Sequence, residues 1–100
     1  QQRTIKTRFM SYRIKKQQIN RAKQIGVTIK PSKVKGKKIA VYKNGEKVAD
    51  IGALGYSDFW TYYEANRIIA GQKRAAYQAR HNGEQNKIGS PGYYAWYILW

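Results

Sequence analysis

Cysteine is absent from this 100-residue chain, which excludes a disulfide framework, a thiolate metal site and a cysteine nucleophile, and suits a reducing compartment. Histidine occurs once, as His81, so a zinc site of the usual composition has no second imidazole to draw on. No apolar run approaches the roughly eighteen residues that a membrane-spanning helix needs, and the N-terminus has no apolar segment of the signal-peptide kind. The chain starts on Gln1 rather than Met and stops on Trp100, from which we expect processing, or further residues, at its ends. The most informative absence is of charge of one sign. Residues 1–38 contain no Asp or Glu, yet they hold thirteen of the twenty Lys and Arg residues.

What is present follows from that asymmetry. From Ile39 onward, seven basic residues (Lys43, Lys47, Arg67, Lys73, Arg74, Arg80, Lys87) stand against five acidic ones (Glu46, Asp50, Asp58, Glu64, Glu84). The formal net charge of +15 therefore sits almost wholly in the first third of the chain. The chain divides into a basic arm, residues 1–36, and a nearly balanced, aromatic-rich body, residues 37–100. A block of like charge repels itself until a polyanion or an acidic protein surface neutralises it. Nucleic acid is the commonest such partner, because each phosphate neutralised releases condensed counterions. An acidic groove on a neighbouring protein serves the same charges. The candidate contacts are Arg3, Arg8, Arg13, Lys15, Lys16, Arg21, Lys23, Lys30, Lys33, Lys35, Lys37 and Lys38. The body is near the size at which a lone core is marginal, so it is expected to lean on a neighbour.

Local patterns give an α+β fold: a small antiparallel hairpin or sheet packed with two or three helices, plus a helical or extended basic arm. Residues 2–24 contain no Gly or Pro. Ile5, Phe9 and Tyr12 fall at helical spacing there, as do Ile14, Gln18, Ala22 and Ile25, with Gly26 as the stop. Such a helix either packs its thin apolar stripe on the body or threads out to a partner. Residues 27–36 mix β-branched side chains with Lys and Pro31, the pattern of an edge strand or linker. Asn44-Gly45 between residues 38–43 and 46–51 predicts a type I′ hairpin. It pairs Lys43 with Glu46, Tyr42 with Lys47, Val41 with Val48, Ala40 with Ala49 and Ile39 with Asp50. Gly52-Ala-Leu-Gly55 reads as a tight corner. Residues 56–63 fit either a strand or a first helical turn capped by Ser57. Residues 64–81 read as a helix with Ile68, Gln72, Ala75 or Ala76, and Ala79 on one face, and with a kink or break at Gly71. Ser90-Pro91 marks another helix start. Beyond it, Tyr93, Trp96, Tyr97 and Trp100 recur at i, i+3, i+4 and i+7, with Tyr94 beside them.

No catalytic constellation emerges. His81 after Arg80 more simply complements a helix C-terminus, the five carboxylates stand singly, and no glycine pattern matches a phosphate loop. No cofactor or metal is expected. The aromatic residues Tyr93, Tyr94, Trp96, Tyr97 and Trp100 form a core or a protein interface, since a small body with few Leu and Phe residues must fill its interior with rings. Stacking on nucleobases is the competing use.

Three ordered motifs carry a family resemblance: the hairpin into Ile51-Gly-Ala-Leu-Gly-Tyr-Ser-Asp-Phe59, then Arg74-Ala-Ala-Tyr-Gln-Ala-Arg-His81, then Gly89-Ser-Pro-Gly-Tyr-Tyr-Ala-Trp-Tyr-Ile-Leu-Trp100. Over about residues 37–100 the chain resembles a family of small basic proteins encoded by large nucleocytoplasmic DNA viruses. The stretch 60–71 looks longer than in relatives, and the arm has no counterpart. The resemblance implies a viral origin and a place in the virion after synthesis in the host cytoplasm, but no established activity and no site residues. Composition alone puts a DNA-binding protein first. The balanced body and the resemblance favour a non-enzymatic structural protein, a minor capsid or cement component whose acidic-surfaced partners are other capsid proteins. A sequence-nonspecific DNA-binding or genome-packaging protein of the virion is the alternative.

Overall fold

The computed structural model describes residues 12–100. Arg3, Ile5, Arg8 and Phe9 lie outside them. The elements run, in chain order, α1 (Lys16–Gln24), β1 (Thr28–Pro31), β2 (Lys37–Lys43), β3 (Glu46–Ala53), α2 (Phe59–Ala65), α3 (Arg67–Arg80), a short 3₁₀ turn (Glu84–Asn86) and α4 (Pro91–Ile98). The fold is α+β: a three-stranded antiparallel sheet in the order β1-β2-β3, packed with four helices.

The basic segment is not a separate arm from Tyr12 onward. Helix α1 starts only at Lys16, and Gln18 fixes that start by accepting the Lys15 backbone N–H on its Oε1 at 2.8 Å. Its predicted stripe holds: Gln18 and Ala22 are buried, with Ile14 and Ile25 half-buried beside them. Ala22 and Val27 join Ile39, Val41, Ala49, Ile51, Tyr94, Ile98 and Leu99 in one core. A boundary at residue 36 would cut through the sheet, because β1 pairs with β2 from Thr28↔Tyr42 to Pro31↔Ile39. The core needs α1 and β1 because the remaining sixty-odd residues bury too little on their own.

The hairpin turns where expected, with φ of 53° at Asn44 and 83° at Gly45, as a type I′ turn requires. Its first two pairs, Lys43↔Glu46 and Tyr42↔Lys47, are as the sequence predicts, but a bulge then shifts the register, so that Val41 faces Ala49, Ala40 faces Asp50 and Ile39 faces Ile51. Burial is the reason. In the simple register Asp50 would oppose the fully buried Ile39, whereas one extra residue brings Ala49 and Ile51 into the core and leaves Val48 exposed. Asp50 instead accepts Ser32 Oγ–H at 2.7 Å and pairs with Lys47 at 2.8 Å.

Of residues 56–63, those from Phe59 on form helix, capped by Asp58 rather than Ser57: the Asp58 carboxylate accepts the Thr61 backbone N–H. The helix expected over 64–81 is interrupted at Asn66, which leaves helical geometry and caps α3 through Ile69 N–H. Gly71 lies within α3 and breaks nothing. The face of α3 turned inward carries Ala70 and Tyr77, so Ile68, Gln72, Ala75, Ala76 and Ala79 are exposed. The phase is set by Tyr77, whose ring stacks on Trp100 at 4.6 Å and buries more surface than Ile68 could. Ser90 and Pro91 start α4 as expected, Ser90 Oγ accepting Tyr93 N–H at 3.1 Å.

The bulge gives a sharp contrast between neighbouring positions. Ile51→Ala should lower unfolding free energy by about 2–5 kcal/mol, while Val48→Thr should stay within about 0.5 kcal/mol; chemical denaturation of both variants checks this.

Candidate interaction surface

The described cations of the first 38 residues divide by burial. Arg13, Lys16, Lys23, Lys30, Lys33, Lys35 and Lys37 are exposed. Lys33, Lys35 and Lys37 follow one another on the β1–β2 connection, a tight turn closed by Lys37 N–H to Val34 O at 3.1 Å and braced by Leu54 N–H to Gly36 O at 2.8 Å. Lys30 lies 5.1 Å over the Tyr42 ring. Three of the predicted contacts, Lys15, Arg21 and Lys38, are engaged within the fold. Lys15 pairs with Glu64 at 3.4 Å. Arg21 donates its Nε–H to the Tyr97 carbonyl, as Arg74 does to the Trp100 carbonyl at 2.8 Å. Both arginines thus serve the carbonyl end of α4, where cations are favoured. Burial, and for Arg74 the charge of Arg21 as well, pulls both guanidiniums below their ordinary pKa.

Lys38 is the clear correction. It is 4% exposed and cannot reach an external polyanion. Its ammonium lies 3.1 Å from Asp58 Oδ2, and Asp58 itself is 1% exposed. The same oxygen accepts Tyr12 O–H at 2.5 Å, while Oδ1 accepts both the backbone N–H and the hydroxyl of Thr61 at 3.1 Å. Gln18, fully buried, donates to the Tyr12 oxygen at 2.9 Å. Burial alone would raise the Asp58 pKa. The Tyr12 hydrogen bond, the Lys38 charge and the Thr61 N–H outweigh it and hold the carboxyl below the usual range. The Tyr12 phenol is pushed up, first by burial and then by its bond to Asp58. Gly52 completes this centre at φ +78°: a Cβ there would meet Lys38 Cδ at 2.9 Å and Leu99 Cδ1 at 3.0 Å. The helix-capping preference of Asp at the head of 59–65 was a usable signal for part of this centre; its pairing with Lys38, twenty residues away, had none.

Of the C-terminal rings, Tyr94 joins the core and Tyr93 and Trp100 pack against it, while Trp96 and Tyr97 are half-buried outside it. Tyr94 is buried, Tyr93 and Tyr97 pack on each other at 4.9 Å, and Trp96 lies 6.0 Å from Tyr77. Tyr77 is the middle ring of a column, stacked on His81 at 4.3 Å and on Trp100 at 4.6 Å. Phe59 sits beneath the Arg74 guanidinium at 3.6 Å. Beside the column runs a shallow groove with Gly52 and Ala95 on its floor. It opens to about 330 Å³ near Tyr56, Ser57 and Trp100, and to about 280 Å³ near Lys37, Asp50 and Glu84. Among the described residues no group of three His, Asp or Glu side chains could hold a metal, and no helix is long and apolar enough to cross a membrane. His81 is exposed and stacked on Tyr77, with no nucleophile hydrogen-bonded to it in the described set.

No protein family, curated protein or solved structure matches this chain.

The Asp58 centre predicts a signed pH dependence. A carboxylate whose folded pKa is depressed contributes stability that is fully present above its ordinary value near pH 4 and is lost as pH falls through the lower, folded value. Asp58→Asn should therefore flatten the acid limb of stability against pH. At pH 7 it should cost about 3–5 kcal/mol, because Lys38 is left buried without its counter-charge. Urea denaturation of both proteins between pH 2 and 7 measures both effects.

Proposed function

We propose that this chain is a non-enzymatic structural protein of a large DNA virus particle, a minor capsid or cement component that bridges acidic surfaces of neighbouring capsid subunits. One observation carries the binding part of this reading: three of the five carboxylates are spent in internal ion pairs, while seven described cations of the first 38 residues are exposed and unpaired. Glu64, Asp58 and Asp50 pair with Lys15, Lys38 and Lys47. Arg13, Lys16, Lys23, Lys30, Lys33, Lys35 and Lys37 are exposed and form no ion pair among the described residues. Their counter-charge has to come from another molecule. The likeness of residues 37–100 to small virus-encoded proteins supports the particle as the setting. Docking then rests on the exposed cations, which give steering and complementarity to an acidic surface, rather than on the C-terminal rings, which the core occupies.

A second reading has its own support. Lys33, Lys35 and Lys37 on one braced turn, next to Lys30 on the edge strand, form a local cluster that phosphates would neutralise without reading base sequence. The virion protein would then contact packaged DNA.

Salt titrations separate the two. Full-length protein and a Lys30/Lys33/Lys35/Lys37→Gln variant are titrated with random duplex DNA and with polyglutamate. A DNA slope near −0.9 per phosphate contacted, reduced by about 3–4 in the variant, would establish the DNA-binding reading. The capsid reading expects polyglutamate to be bound through these lysines, and DNA to be bound only weakly at about 0.15 M salt.

A further inference from the structure

Helix α3 is amphipathic in sequence, yet the fold buries the wrong side of it. At 100° per residue, Ile68, Gln72, Ala75 and Ala79 line a stripe opposite Ala70 and Tyr77. Ala70 and Tyr77 are buried, whereas every residue of the stripe is exposed, Ile68 at 75%. Gly71, Ala76 and the 42%-exposed Ile69 widen the apolar area at its margins. The stripe is about 16 Å long from Ile68 to Ala79. It presents the projecting Ile68 and the amide of Gln72, then the small Ala75 and Ala79, whose end of the stripe lets a second helix approach to about 8 Å between axes.

The charge around the stripe selects the occupant. Helix α3 carries Arg67, Lys73, Arg74 and Arg80 and no carboxylate. Arg74 turns inward to the Trp100 carbonyl. Arg67 lies over the Tyr63 ring at 5.0 Å, Lys73 over the Tyr62 ring at 5.5 Å, and both remain exposed with Arg80. A second copy of α3 would bring like charges together along the whole contact, which costs several kcal/mol. Duplex DNA would satisfy the cations but leave the apolar stripe against phosphate and sugar.

We infer that the exposed face of α3 binds an acidic amphipathic helix of a partner protein, with aliphatic residues against Ile68, Ala75 and Ala79 and carboxylates reaching Arg67, Lys73 and Arg80. This is helix-on-helix recognition read by anchors at i, i+4, i+7 and i+11. It rests on the protein-facing reading above and identifies where on the molecule one such partner sits.

The test uses ¹⁵N-labelled full-length protein and two synthetic helical peptides of about 18 residues. One peptide has a Leu/Ala stripe flanked by Glu; the other has the same composition with the stripe scrambled. The striped peptide should shift the amides of Ile68, Gln72, Ala75 and Ala79, and should bind at least about tenfold more tightly than the scrambled one. Ala75→Glu replaces one good helix former with another at an exposed site, so the fold is retained, and should weaken the striped peptide by at least about tenfold. Ile68→Gln should weaken it in the same direction.

Equal binding of the two peptides would overturn the inference while leaving the basic-surface reading intact, since charge alone would then account for both. Shifts mapping to the β1–β2 turn, or none up to about 1 mM peptide, would also overturn it. So would a dimer in sedimentation equilibrium that Ala75→Glu dissolves, because a second copy would then own the face. Failure of both peptides to bind at low salt, alongside tight DNA binding, would remove the protein-facing reading as well.

Discussion

A carboxylate sealed from water has to be neutralised where it lies, and Asp58 draws that neutralisation from three distant parts of the chain. Tyr12 comes from the segment before α1, Lys38 from the central strand, and Thr61 from the first turn of α2. Gln18 then holds the Tyr12 hydroxyl and also fixes the start of α1. Every group in this centre is individually costly to bury, and each is tolerable only because the others are present. The centre therefore ties α1, the sheet and the α2–α3 pair to one another. It also explains why a lysine occupies a buried strand position and why the strand beside it needs a glycine at residue 52.

The same neutralisation shapes the exterior. Of the five carboxylates, Asp58, Glu64 and Asp50 are held by Lys38, Lys15 and Lys47, and two arginines are drawn in by the carbonyl end of α4. The remaining cations cannot be matched within the described residues. The described surface therefore keeps an excess of exposed, unpaired positive charge. The positive turn at Lys33–Lys37 and the exposed face of α3 therefore carry the argument about function.

A column of rings joins α3 to the segment after α4. Tyr77, His81 and Trp100 stack as a column, and Phe59 N–H binds the Leu99 carbonyl at 3.1 Å. Together these contacts clamp the α2–α3 pair onto α4. Choosing Tyr77 as the buried anchor of α3 has a direct consequence: the opposite, aliphatic face is left to solvent. The exposed face of α3 is thus a by-product of how the core is filled.

Much of the architecture was legible from local chemistry. The α+β class, the Asn44-Gly45 turn, the Gln18–Ala22 stripe and the Ser90-Pro91 helix start each depend on residues a few positions apart, which act before any tertiary contact forms, and residues 27–36 were readable as edge strand or linker. The excess of positive charge was legible in the same way. Tertiary structure alone decided four things. It decided that the segment from Tyr12 to Gly36 belongs to the body, that a bulge at Val48 puts Ile51 rather than Asp50 opposite Ile39, that Lys38 is an interior counter-ion instead of a surface contact, and that α3 turns its apolar stripe outward. Each of these is a competition for burial between residues far apart in sequence. Periodicity finds an apolar face but not which of two faces the rest of the chain will cover, and composition counts charges without saying which of them will meet inside.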